Sequence, residues 1–237
     1  MTPPPPLALL LDFDGTLVPI GATPDAICVS DDLQSLMALA IERLEGRVAV
    51  ISGRSLEQLD ALWDKGLWPV TVAASHGLEM RHNGRLLSPP PAQIFAQLAR
   101  ATDARFGAHK GVVIELKSFG LGLHYRLAPS QRDALRAWAD ECAAEHDLVV
   151  QPGDMVYELR LRGADKGDAV RAIMQRAPFA GSLPVYIGDD LTDVPAMNAA
   201  RALGGRGITV GPRIAGAANG MLADPAEVHG WLRDLLA

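Results

Sequence analysis

Short apolar runs alternate along this chain with longer stretches in which apolar residues recur every three or four positions. Residues 7–13 (LALLLDF), 47–52 (RVAVIS), 70–75 (VTVAAS) and 183–188 (LPVYIG) are short, apolar and bounded by turn residues. Runs of this kind, without polar alternation, are covered on both faces and predict buried parallel strands. Residues 31–45 and 55–64 carry helical spacing instead, with Leu33, Leu36, Met37, Ala40, Ile41 and Leu44 along one face of the first. Ser30 or Asp31 supplies its N-cap, and Gly46 follows its end. Strands alternating with helices predict an α/β fold, a Rossmann-like core with a parallel sheet.

The middle of the chain breaks this rhythm. SPPPAQ at 88–93 is a Pro-rich break, and RGADKG at 162–167 reads as a return linker. Between them the pattern predicts a helix (92–106), strands (112–117 and 121–127), a helix (130–146) and strands (148–151 and 155–161). Helix-strand-strand given twice predicts an inserted α+β domain with antiparallel pairing, over 89–162. The core is then split into 1–88 and 163–237. Strand alternation sorts the insert into two faces. Glu115 and Lys117 oppose Ile114 and Leu116; His124 and Arg126 oppose Leu123, Tyr125 and Leu127; Glu158, Arg160 and Arg162 oppose Tyr157, Leu159 and Leu161. Phe95, Leu98, Leu135 and Trp138 are placed to cover the apolar face. The charged face is either a solvated surface with cross-strand ion pairs or a hydrogen-bonding surface for a polyhydroxylated ligand.

Composition narrows the class only slightly. The 237 residues suit one or two domains, with 49% hydrophobic and 21% charged residues. A net charge of -6 and the lack of a Lys/Arg stripe argue against a nucleic-acid partner. Cys28 and Cys142 have no metal or redox spacing and suit a reducing compartment. The N-terminal stretch lacks the positive region of a signal peptide, and no segment approaches the roughly 18 uninterrupted apolar residues of a membrane span. The expectation is a soluble cytoplasmic protein with no membrane role and no evident obligate protein partner.

The chemistry sits where the predicted strands end. DFDGTL closes the first with Asp12 and Asp14, two carboxylates that an extended backbone would project to one face. Alone, such a pair also serves to cap a loop. ISGR places Ser52, Gly53 and Arg54 after the second strand, where a hydroxyl and backbone N–H groups opening a helix would make an anion site; an ordinary Ser N-cap is the plainer alternative. Lys166 opens a helix, where the macrodipole disfavours a cation, so it requires a negative partner. GDDLTD closes the fourth strand with Asp189, Asp190 and Asp193, and unpaired buried carboxylates are costly. The cluster calls for a cation, and oxygen ligands without Cys or His favour Mg²⁺. No GxxxxGK[ST] phosphate loop occurs, but a carboxylate can itself form an aspartyl-phosphate.

DFDGTL, ISGR, DKG and GDDLTD together resemble the four motifs of the haloacid dehalogenase-like phosphohydrolases. The resemblance implies Asp12 as nucleophile and Asp14 as general acid, then base. It implies Ser52 and Lys166 as holders of the phosphoryl oxygens, and Mg²⁺ on Asp189, Asp12 and the Asp14 backbone carbonyl. VVIELKSFGLGLHYRLAP, ASHGLE and YELRLRGADKG further resemble the trehalose-6-phosphate phosphatases, over nearly the whole chain. That family implies hydrolysis of trehalose 6-phosphate, with Glu115, Lys117, His124, Arg126 and Glu158 as sugar contacts in the insert, or cap. His76 would be a structural histidine. The chain looks like a bacterial stand-alone member, without a preceding synthase domain. It departs from the pattern at Val194, where an acid is usual, and at Leu161, where proline is common. Other readings are a phosphatase of sucrose phosphate or a glycosylglycerate phosphate, a mutase, and a non-catalytic sugar-phosphate sensor.

Overall fold

The computed structural model describes residues 4–21, 27–63, 71–87, 93–117, 119–153, 155–161 and 165–237. Of the expected linkers, 88–93 and 162–167, residues 88–92 and 162–164 (Arg162 among them) lie outside the described residues, whereas Gln93, Lys166 and Gly167 are helical. The chain divides into two compact units, Met1–Ser88 with Ala164–Ala237, and Pro89–Gly163.

The first unit is built on an eight-stranded sheet. In chain order its elements are β1 (Leu7–Leu11), α1 (Asp31–Arg43), β2 (Val48–Ile51), α2 (Leu56–Leu62), β3 (Thr71–Ala74), β4 (Glu79–His82) and β5 (Arg85–Leu86). The second unit follows with α3 (Gln93–Phe106), β6 (Val113–Lys117), β7 (Gly120–His124), α4 (Arg132–His146), β8 (Leu148–Gly153) and β9 (Val156–Leu161). The first unit then resumes with α5 (Lys166–Met174), β10 (Leu183–Gly188), α6 (Val194–Ala202), β11 (Arg206–Val210), β12 (Gly220–Leu222) and α7 (Pro225–Leu236). Its sheet runs β12-β11-β10-β1-β2-β3-β4-β5, parallel from β12 to β3, with β4 and β5 added antiparallel.

Apolar residues fill both faces of the central strands because helices cover both. Leu9, Leu11, Val48, Val50, Val185 and Ile187 face a core that includes α1 and α7. Ala8, Leu10, Ala49, Ile51 and Tyr186 face α5 and α6. Continuous apolar runs are what such double coverage demands. Helix α1 starts where Ser30 accepts a bond from the Leu33 N–H at 3.2 Å and buries Leu33, Leu36, Met37 and Ala40. The chain leaves β1 and β10 on either side of a switch in strand order, and in open α/β sheets the crevice beyond such a switch binds ligands.

The second unit is a four-stranded antiparallel sheet in the order β6-β7-β9-β8, backed by α3 and α4. Phe95, Leu98, Leu121, Leu123, Leu135, Tyr157 and Leu159 form its core, with Trp138 at the margin. Two expected apolar-face residues are corrected. Leu116 is 54% exposed and Leu127 77% exposed. β6 is the edge strand, so helices cover less of it, and β7 ends at His124, so strand alternation does not reach Leu127. No helix among the described residues is long and apolar enough to cross a membrane.

Candidate active site

Asp12 and Asp14 do not sit on a strand. β1 ends at Leu11, and the chain at once folds into a tight loop in which the N–H groups of Leu17 and Val18 donate to the Phe13 carbonyl. Strand alternation therefore does not relate the two aspartates, and they meet different partners. Asp12 is 4% exposed and accepts from Lys166 Nζ at 2.6 Å. Asp14 is gripped by Arg54, whose Nε and Nη2 donate to its two oxygens at 2.7 and 2.8 Å. Gly15 has φ +80°, and a side chain there would run into the Asp189 carboxylate. Only glycine meets both conditions.

Lys166 is the first residue of α5, which Asp165 and Asp168 start with a capping box. Its ammonium is 3% exposed and bonds Asp193 Oδ1 at 2.7 Å as well as Asp12. These are the negative partners its position at a helix start demanded. Burial alone would lower the Lys166 pKa, but the Asp12 and Asp193 charges more than offset it and hold it above its ordinary value. Burial pushes Asp12 well above the usual carboxylate range, against the opposing pull of Lys166. Asp189 is raised too, first by burial and then by Asp193.

Asp193 organises this loop. It is fully buried; its Oδ1 also accepts from the Tyr186 hydroxyl at 2.6 Å. Its Oδ2 accepts from the N–H groups of Asp189 and Asp190 at 3.0 and 2.9 Å. Gly188 leaves room for it, since a side chain there would collide with the Asp193 carboxylate. The four donors hold the loop, and Val194, the first residue of α6, packs half-buried against the core, so the missing acid at 194 does not leave the loop unsupported. Asp190 instead pairs with Arg213 at 2.9 Å.

Asp12, Asp189 and Asp193 each offer an oxygen within 4.8 Å of the others. Three carboxylates crowd one ammonium there, and the Thr16 hydroxyl is buried in the loop after Asp12 without a partner. An all-oxygen donor set of this kind fits a hard divalent cation.

Ser52 and Gly53 follow β2, but they do not open α2. Ser55 is its N-cap, with Gln58 completing a capping box, so the expected helix-opening anion site is corrected to a loop that precedes the helix. Ser52 is 1% exposed, and its Oγ accepts from the Arg54 N–H at 3.1 Å. The Arg54 guanidinium lies over the Phe13 ring, 5.7 Å from its centroid.

The second unit gathers most of the predicted cap residues on one face. His124 meets Glu115 at 2.8 Å, and Lys117 lies 3.3 Å from Glu158 and 3.9 Å from Glu115. In register, Glu115 and Glu158 flank Gly122, so bare backbone lies between the two carboxylates. Arg126 is exposed and lies past the end of β7, beyond the reach of strand alternation. Sequence reasoning missed Tyr186, an apolar-run residue whose hydroxyl carried no signal, and left open which of Asp190 and Asp193 mattered.

Sheet order, the crevice at the switch point and the aspartate-lysine cluster define a haloacid dehalogenase-like hydrolase. A haloacid dehalogenase-like hydrolase from Bacteroides thetaiotaomicron shares this fold at 14% identity, with a TM-score of 0.70 over 97% of this chain and 99% of that one. Within that class the trehalose-phosphatase family model matches residues 10–211, and the chain belongs to that family, one of phosphomonoester hydrolases. The trehalose-6-phosphate phosphatase of Escherichia coli K12 is 36% identical over 228 residues, covering 95% of this chain and 85% of its own. The crystal structure of a trehalose-6-phosphate phosphatase related protein aligns with a TM-score of 0.77 at 26% identity, over 97% of this chain and 96% of that one.

Proposed function

We propose that this chain hydrolyses trehalose 6-phosphate to trehalose and phosphate through an aspartyl-phosphate on Asp12. The observation that carries the reading is Lys166, buried between Asp12 and Asp193 beside the carboxylate cluster with Asp189. A nucleophilic carboxylate approaching a phosphate dianion meets like-charge repulsion, and the fixed ammonium lowers it. Asp12 adds to phosphorus as the ester P–O bond breaks, and Asp14 passes a proton to the departing sugar oxygen. Asp14 then takes a proton from the water that adds to phosphorus, releasing phosphate and restoring Asp12.

Ser52 Oγ, the Gly53 N–H and Lys166 are the groups assigned to the phosphoryl oxygens. Arg54, expected as a substrate-binding residue, is assigned instead to orienting Asp14, because its guanidinium is engaged there by two bonds. Asp12, Asp189 and the Asp14 carbonyl would hold Mg²⁺, with Asp193 supporting the loop through its four accepted bonds. The bound ion supplies positive charge where negative charge accumulates on phosphorus oxygens. On the second unit, Glu115, Lys117, His124, Arg126 and Glu158 are assigned to the sugar, since paired carboxylates and an ammonium suit neighbouring hydroxyls. The family likeness to trehalose-6-phosphate phosphatases supports that substrate over sucrose phosphate or a glycosylglycerate phosphate.

The deciding experiment measures phosphate release from a panel of sugar phosphates, with Mg²⁺ and with excess chelator. Trehalose 6-phosphate is expected to be turned over fastest, and only with the metal. Equal turnover in chelator rejects the oxygen-ligand reading; preference for another sugar phosphate rejects the substrate.

A further inference from the structure

Ser75, His76 and Gly77 are three consecutive residues in the left-handed region, with φ of +48°, +58° and +102°. Two of them are not glycine, and each costs free energy and persists only where surrounding contacts impose it. The contacts that impose it run to both phosphoryl-binding elements. The His76 N–H donates to the Ser52 carbonyl at 2.9 Å, and the Ser75 N–H donates to the Arg54 carbonyl at 2.7 Å. The His76 ring lies against Gly53, so close that a β-carbon there would come within 2.9 Å of it. On the other side, a β-carbon on Gly77 would sit 3.1 Å from Ala169 and 3.4 Å from the Asp165 carbonyl, in the first turn of the helix that begins with Lys166. Ser75 Oγ is fastened to the buried Glu79 carboxylate at 2.5 Å.

We propose that the strained turn Ser75–His76–Gly77 is a positioning device, a brace that sets the Ser52–Arg54 loop and the start of α5 in register for the phosphoryl group. His76 acts through the loop it presses on and needs no contact with the sugar. The proposal rests on the reading that Ser52, Gly53 and Lys166 hold that group. It adds what keeps them in place: one hydrogen-bonded turn wedged between two elements that lie far apart in sequence.

The test compares His76→Gly with His76→Asn, reading inorganic phosphate affinity by calorimetry and kcat/KM on trehalose 6-phosphate and p-nitrophenyl phosphate. Glycine removes the ring and relaxes the turn, while asparagine tolerates the left-handed conformation and keeps a planar polar group against Gly53. His76→Gly is expected to weaken phosphate binding and to lower kcat/KM on both substrates alike, by about ten- to a hundredfold, the scale of a roughly 1 Å misplacement. His76→Asn is expected to recover most of the loss. Thermal unfolding run alongside separates a loosened site from a weakened fold, and Ser75→Gly, which relaxes the same turn, is expected to act in the same direction. Phosphate affinity and both rates within about twofold of the parent overturn the brace. A loss confined to trehalose 6-phosphate overturns it in favour of a sugar contact, and an asparagine variant as impaired as glycine overturns it in favour of imidazole chemistry. If the parent turns over neither substrate, the phosphatase reading fails, while phosphate calorimetry still decides the brace.

Discussion

Tyr186→Phe tests whether Asp193 is the organiser of the metal loop. The substitution keeps the fully buried ring and deletes one oxygen, so packing is nearly conserved. What is lost is a 2.6 Å bond from a hydroxyl to a buried carboxylate. Burial, then the Asp193 charge, push the phenol pKa well up, so the group is a donor throughout the working range. A hydrogen bond to a charged partner contributes about 1.5–3 kcal/mol. Asp193 keeps Lys166 and two backbone donors, so it is not stranded, and the loss falls at the low end, about 1.5–2 kcal/mol. At an m-value of roughly 2–3 kcal/mol/M, the urea midpoint of the first unit should fall by about 0.5–1 M. The second consequence is functional. Asp193 fixes the N–H groups of Asp189 and Asp190, so a looser Asp193 should weaken Mg²⁺ binding about tenfold, as removal of an outer hydrogen-bond partner does at other metal sites. Circular dichroism in urea and calorimetric Mg²⁺ titration read the two effects separately. A variant matching the parent in both measurements would refute the reasoning, because the bond would then carry neither stability nor loop geometry.

Asp12→Asn should abolish turnover of every phosphomonoester while the chain stays folded, since an amide cannot form the acyl-phosphate; burst and steady-state phosphate release check this. Lys117→Ala and Glu158→Ala should lower kcat/KM on trehalose 6-phosphate by about ten- to a hundredfold, the cost of one charged hydrogen bond. They should barely change p-nitrophenyl phosphate hydrolysis, and because these ion pairs are exposed, stability should shift by under about 1 kcal/mol. Burial raises the folded-state pKa of Asp12 and Asp189 in the metal-free protein, so the native state binds more protons than the unfolded one. Metal-free stability should therefore fall as pH rises from about 4 through those raised values. Mg²⁺ favours the charged carboxylates, so its stabilisation, read as a shift in thermal midpoint, should be larger at about pH 8 than at about pH 5.

Much of this protein is legible from order along the chain. Leu9–Leu11, Val48–Ile51 and Val185–Ile187 have to be buried on two faces because they offer no polar side to water. That requirement alone calls for a parallel sheet covered by helices. The insert declares itself through a change of rhythm, and the catalytic residues through charge placed where apolar strands stop. Lys166 at a helix start could be read as needing an anion, because its local electrostatics are unfavourable without one.

Tertiary structure alone decided which anions those are. Asp12 and Asp193 lie 154 and 27 residues from Lys166, and no local rule ranks Asp193 above Asp190. The ranking comes from depth: Asp193 is buried where only full hydrogen bonding compensates desolvation, while Asp190 reaches the surface and Arg213. The divergence of Asp12 from Asp14 has the same origin. Alternation applies only while the strand lasts, and β1 stops three residues short of Asp14. Tyr186 was hidden for a related reason, since a tyrosine in an apolar run reads as bulk until the partner of its hydroxyl is known. Periodicity reports which face a side chain takes within one element; it carries no information about what the next element brings to meet it.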